Sequence, residues 1–124
     1  MSSTCTVLIV EDDSFLAETI AVSLADHGVK TRIALDGGMA LQSIAEVTPD
    51  LVLLDLLMPK MDGTAVLKHL QEKGISLPII ILSNLSDDLS KESCLRMGAL
   101  DYFIKSDMDE DELWPMVQRY LPAA

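Results

Sequence analysis

Five short apolar runs punctuate this chain, and longer amphipathic stretches separate them at a rhythm of roughly 20 to 30 residues. The runs lie at Thr6–Val10, Thr31–Ala34, Leu51–Leu54, Ile79–Leu82 and Tyr102–Ile104. Several are apolar throughout rather than alternating, so they read as strands covered on both faces, the habit of a parallel sheet. Between them the spacing predicts helices over Ser14–Asp26, Gly38–Glu46, Thr64–Glu72, Asp87–Met97 and Asp109–Tyr120. The first is the clearest: Leu16, Ile20 and Leu24 repeat at i+4, Ser14 suits its cap, and Gly28 lies just past its end. Gly74 and Gly98 punctuate the third and fourth in the same way. Pro115 falls inside the last predicted helix and should kink it or delay its start, although Leu113, Val117 and Leu121 keep an apolar stripe. Five βα units in series predict one doubly wound α/β sheet with helices on both faces.

At 124 residues the chain suffices for one domain with a real core, and residues 1–124 are read as that single domain. Hydrophobic residues make up 49% and the mean hydropathy is +0.30, yet no uninterrupted run approaches the roughly 18 apolar residues of a membrane helix. The oil is therefore assigned to strands. Met1–Cys5 lacks the basic segment and cleavage-type ending of a signal peptide, which points to the cytoplasm. Nine Lys and Arg against twenty Asp and Glu give a net charge of −11, a balance that opposes nucleic-acid binding and suits a cation. Cys5 and Cys94 have no metal-ligand spacing and read as reduced thiols. His27 and His69, on helical surface stretches, read as solvated, and the methionines as packing.

The polar residues sit where the strands end. The first run stops at Glu11-Asp12-Asp13, the third at Asp55, the fourth at Ser83 and the fifth at Lys105. In a parallel sheet all these ends share one edge, where doubly wound folds place their ligands. With strands one and three as neighbours, Asp12, Asp13 and Asp55 converge at the mouth of a pocket. Crowded carboxylates repel unless a cation joins them, and hard oxygens with room for water are what Mg²⁺ prefers. Lys105 adds a positive charge and Ser83 a hydroxyl donor. Such a set suits phosphoryl transfer, with Asp55 as nucleophile.

These residues resemble the receiver domain of two-component response regulators, from about Thr6 to Leu121. "VLIVEDD" is similar to the family's first strand with its acidic pair, and "DLLMPKMDG" to the loop after its phospho-accepting aspartate. "IIILSN" carries the hydroxyl residue, and "GALDYFIK" the lysine with an aromatic three residues before it. The resemblance implies a flavodoxin-like fold with strand order 2-1-3-4-5. It implies that Asp55 accepts a phosphoryl group from a sensor histidine kinase or a histidine phosphotransfer protein. Asp13, Asp55 and the Leu57 carbonyl would ligate Mg²⁺, or Mn²⁺ in its place, with Asp12 acting through water. Lys105 and Ser83 would bind phosphoryl oxygens, and Ser83 with Tyr102 would switch a surface on the fourth helix, fifth strand and fifth helix, read by downstream proteins. The protein would be no conventional enzyme, promoting only its own phosphorylation and dephosphorylation. Pairing of two phosphorylated copies stays open.

Departures from the pattern bear on detail. Ser106 stands where the family usually has proline after the lysine, so a trans peptide is expected there. Asn84 replaces a commonly small residue, and Leu57 and Leu85 are apolar beside the route of an attacking water, which predicts slow hydrolysis of the acyl phosphate. The acidic run Asp107–Glu112 reads as a helix start. Among competitors, an aspartyl phosphohydrolase would want a second aspartate where Leu57 stands. A pseudo-receiver acting only in protein interactions would typically lack the acidic pair, the acceptor or the lysine. A flavin module would meet repulsion between its phosphate and the acidic groups. A receiver cut from a hybrid kinase remains a variant of the same reading.

Overall fold

In the computed structural model, residues 5–58, 62–84, 88–105 and 110–122 are described, the side chains of Glu110 and Asp111 excepted. The strands are β1 (Thr6–Val10), β2 (Lys30–Ala34), β3 (Leu51–Leu54), β4 (Ile79–Ser83) and β5 (Asp101–Ile104). The helices are α1 (Ser14–Ala25), α2 (Gly37–Glu46), α3 (Gly63–Glu72), α4 (Asp88–Arg96) and α5 (Glu110–Tyr120). All strand pairs are parallel, in the order β2-β1-β3-β4-β5. The expected doubly wound, flavodoxin-like sheet is what forms, and its central strand β3 is buried at every residue.

The sheet divides the core in two because successive strand residues face opposite ways. Leu8, Val10, Val52, Leu54, Ile79 and Ile81 face α2, α3 and α4, where Ile44, Val66, Leu70 and Cys94 meet them. Val7, Ile9, Leu51, Leu53, Ile80 and Leu82 face α1 and α5, against Ile20, Leu24, Leu113 and Val117. Burial of each such large side chain contributes roughly 1.5–3 kcal/mol, before the entropy of ordering it is set against that gain.

Each βα turn at the carboxyl ends of β1, β2 and β3 carries an aspartate that starts the next helix. Asp13, Asp36 and Asp62 accept from the backbone N–H groups of Leu16, Met39 and Ala65 at 3.2, 2.8 and 2.9 Å. Asp13 thus takes the cap position expected of Ser14. At the other ends of the helices, Gly28, Gly74 and Gly98 have φ of +82°, +69° and +105°, the left-handed turn that glycine adopts without a Cβ penalty. α5 runs through Pro115 without interruption of its helical span. Among the described residues no helix is long and apolar enough to cross a membrane.

Candidate functional site

Strand register builds the site. Val10 pairs with Leu54, so the next residues, Glu11 and Asp55, emerge side by side from adjacent strands. Their backbones extend the ladder: the Glu11 N–H donates to Ala34 O and the Asp55 N–H to Val10 O, each at 3.0 Å. Both side chains are buried, Glu11 at 3% and Asp55 at 5% exposure. Ser83 pairs with Ile104, which sets Lys105 one residue beyond.

Lys105 is the counter-charge. Its Nζ lies 3.1 Å from Asp55 Oδ2 and also pairs with Glu11 Oε1. The Leu57 N–H donates to Asp55 Oδ1 at 3.2 Å, and the Asp13 N–H to Glu11 Oε2 at 3.1 Å. Two carboxylates facing one ammonium leave an excess negative charge in a poorly hydrated place. Burial raises the Glu11 carboxyl from its usual 4.5 to about 7, with the Asp55 charge adding to the rise and Lys105 opposing it. Burial works against the Lys105 ammonium, but the hydrogen bond it donates to Glu11 and the charge of Asp55 outweigh it and hold its pKa above the usual lysine value.

Glu11, Asp12 and Asp55 bring carboxylate oxygens within 4.8 Å of one another, a grouping that could hold a metal ion. The donor set fits a small hard cation: three carboxylates, one of them exposed, with one side left to water. The gathered trio differs from the expected one. Asp13 is exposed and its Oδ1 is engaged at the start of α1, while Glu11 takes the third place. The reason is distance along the chain: only the first residues past Val10 stay beside β3, and by Asp13 the backbone has turned toward the helix. The adjacent Asp12-Asp13 pair is the more conspicuous acidic signal in the sequence, but Glu11 stands next after its strand, as Asp55 does, and that shared place is what marks it. Asp55 itself lies buried at the sheet edge rather than open at a pocket mouth.

The other expected residues are placed as follows. Ser83 is fully buried at the end of β4, Tyr102 is buried in β5, and Leu57 projects outward, 57% exposed. Asn84 is exposed. Leu85, the Lys105–Ser106 peptide and Asp107–Asp109 lie outside the described residues. Gly63 closes the loop that follows Asp55: its N–H donates to Leu56 O at 3.0 Å, and a Cβ there would overlap the Asp55 carbonyl oxygen and stand 2.9 Å from Leu56 Cα.

A buried aspartate beside a lysine, at the carboxyl edge of a 2-1-3-4-5 sheet with an acidic group alongside, defines a receiver architecture. The chain belongs to the response regulator receiver domain family, whose model matches residues 7–118. It is 42% identical over 107 residues to the transcriptional regulatory protein DltR of Streptococcus agalactiae, covering 86% of this chain and 47% of that protein. It is 38% identical over 101 residues to the transcriptional regulatory protein RstA of Escherichia coli, covering 82% of this chain and 42% of that one. The chain thus spans less than half the length of these relatives. Among solved structures, the Francisella response regulator 1452 receiver domain superposes with a TM-score of 0.88 at 34% identity, covering 94% of this chain and 96% of that one. The BeF₃-activated receiver domain of Klebsiella pneumoniae RstA gives 0.85 at 31% identity, over 95% and 99%.

Proposed function

We propose that this receiver accepts a phosphoryl group on Asp55 from a phosphohistidine in a sensor kinase or phosphotransfer protein, in a cytoplasmic two-component pathway. The observation that carries this is the meeting of Asp55 with Glu11, Asp12 and Lys105 at one sheet edge. Glu11, Asp12, Asp55 and the Leu57 carbonyl would hold Mg²⁺ or Mn²⁺, which would neutralise negative oxygens of the incoming group. In the transfer, the Asp55 carboxylate attacks phosphorus, the N–P bond breaks as the O–P bond forms, and the imidazole leaves. Lys105 gives up an ion pair to a carboxylate for one to a phosphoryl oxygen, and the Ser83 hydroxyl donates to another. The rearranged Ser83 and Tyr102 would then alter the α4-β5-α5 surface for a downstream protein or a second copy. A shift of about 5.5 kcal/mol would carry such a switch from 1:99 to 99:1.

Exposed apolar side chains surround this edge and suit a protein donor: Phe15 on the first turn of α1 and Leu89 on the first turn of α4 are 80% and 78% exposed. Incubation with acetyl phosphate or phosphoramidate and Mg²⁺, followed by intact mass, should add one phosphoryl group to the parent. The addition should vanish in Asp55→Asn and on chelation; a phosphorylated Asp55→Asn would overturn the assignment, and a parent that never takes up the group would leave a pseudo-receiver, binding partners without chemistry. Leu57, apolar and exposed beside the acceptor, is expected to deny an attacking water its hydrogen bond and lengthen the life of the acyl phosphate. Leu57→Asn should shorten that life; an unchanged decay would remove Leu57 from the account.

A further inference from the structure

One open edge of the sheet is β2, which ends the strand order beside β1. Register fixes which of its backbone groups are spare. The Lys30 N–H donates to Cys5 O at 2.9 Å, and Ala34 O accepts from the Glu11 N–H at 3.0 Å. Residues alternate in a parallel ladder, so Lys30, Arg32 and Ala34 turn their backbone groups toward β1. Thr31 and Ile33 turn theirs outward, where no strand pairs with them. Side chains alternate as well. Ala34 packs into the core that faces α2, so Lys30 and Arg32 share that face, while Ile33 packs against the core on the α1 side.

Arg32 is fixed in place. Its Nη1 donates to Ser43 O and Oγ at 3.1 and 2.9 Å, and its Nη2 to Val47 O at 2.6 Å, which closes the end of α2. All three acceptors are neutral, so the guanidinium is pinned without losing its charge. Among the described residues neither Lys30 nor Arg32 forms an ion pair. Beside them lies a hollow of about 450 Å³, walled by Ala25, Val29 and Val47 together with Lys30, Thr31 and Arg32, and none of its lining residues is acidic. We propose that β2 is a docking edge for an extended acidic segment of a partner protein, which would add a sixth strand to the sheet. The segment's backbone takes the outward groups of Thr31 and Ile33. Cross-strand neighbours on one face stand about 5 Å apart, so carboxylates at alternate positions fall beside Lys30 and Arg32. Apolar residues between them fall on the face of Ile33. A lysine on a sheet edge ordinarily deters pairing, and here it deters every strand except one of opposite charge. A second copy is the wrong occupant, since β2 against β2 sets these cations against their like. The chain's net charge of −11 does not forbid an acidic partner, because at physiological salt fields fade over about 8 Å and the nearest charges decide. Docking at this edge does not depend on phosphorylation of Asp55.

The probe is an alternating glutamate–valine hexapeptide capped at both ends. Added to the isotope-labelled chain, it should shift the Thr31 and Ile33 amide resonances most. Lys30→Glu, at an exposed position, should weaken the peptide about tenfold, through an attraction lost and a repulsion gained. Asp55→Asn should bind it as the parent does. A lysine–valine hexapeptide should fail to bind, and so should the glutamate–valine peptide with its backbone N-methylated. Unchanged affinity in Lys30→Glu, undiminished binding of the N-methylated peptide, or shifts centred away from β2 would overturn the docking edge. Free glutamate acting as strongly as the peptide would also overturn it and leave a small-anion hollow. The same shifts on concentrating the chain alone would overturn it too, by making the occupant a second copy.

Discussion

How far a carboxylate stands past its strand decides what it does on this edge. Glu11 and Asp55, the first residues beyond β1 and β3, are buried against Lys105, whereas Asp13, Asp36 and Asp62 lie further along and cap helices. Residue type alone does not separate these roles: Asp12 and Asp13 are indistinguishable in the sequence, and only their distance past β1 divides the acidic group from the helix start. Burial gives Glu11 a testable signature. In metal-free protein its carboxyl holds a proton up to about 7, against 4.5 ordinarily, so between those values the folded state binds more protons than the unfolded one. Stability should therefore fall as pH rises through that window. Lys105 adds no slope there: its contribution is complete below the ordinary lysine value and is lost only as pH passes its own raised one. Urea midpoints taken in chelator at about pH 5 and 7.5 should drop for the parent and stay level for Glu11→Gln. Gly63 makes a second residue-scale case. Gly63→Ala drives a methyl group into the Asp55 carbonyl, and should cost about 1–3 kcal/mol in urea unfolding while slowing phosphoryl uptake.

At the scale of elements the sequence was most legible, because βα periodicity is a local signal. Strands β1 and β3 fall where the apolar runs predicted, and the other elements differ at their ends by a residue or two. What it could not settle was a contest between local and tertiary terms. Pro115 removes a helical N–H, yet α5 spans it because Leu113, Met116 and Val117 bury one face on the sheet while the proline stays exposed. A similar contest divides Asp12 from Asp13. Asp13→Ala removes the side-chain acceptor at the start of α1 and should lower stability by about 1 kcal/mol while leaving phosphoryl uptake intact. Asp12→Ala should do the reverse, since Asp12 is exposed and belongs to the acidic group. Unfolding curves and intact-mass phosphorylation on the same two variants check the assignment, and loss of uptake in Asp13→Ala would return that residue to the site.

Across the whole molecule, the sheet separates two cores, and the acidic group sits where the central strands leave both of them. A cation held there ties the end of β1 to the end of β3, which an unfolded chain cannot do, so binding must appear as stability. Linkage gives the size: at a hundred times the dissociation constant a ligand specific to the folded state adds about 2.7 kcal/mol, a rise of roughly 10 °C for a domain of this length. Thermal unfolding with and without Mg²⁺ measures it without any phosphodonor. The shift should survive in Asp13→Ala, whose carboxylate is committed to α1, and should collapse in Asp12→Ala and Asp55→Asn, each of which removes a negative oxygen from the trio. Neutralising Glu11 has a subtler consequence. Glu11→Gln relieves the charge crowding that a cation would otherwise relieve, so the metal-free protein should gain stability at neutral pH even as its Mg²⁺ response weakens. Equal Mg²⁺ shifts in the parent and in all four variants would mean that the cation acts on the chain's net charge of −11 at large, and not at the end of the sheet.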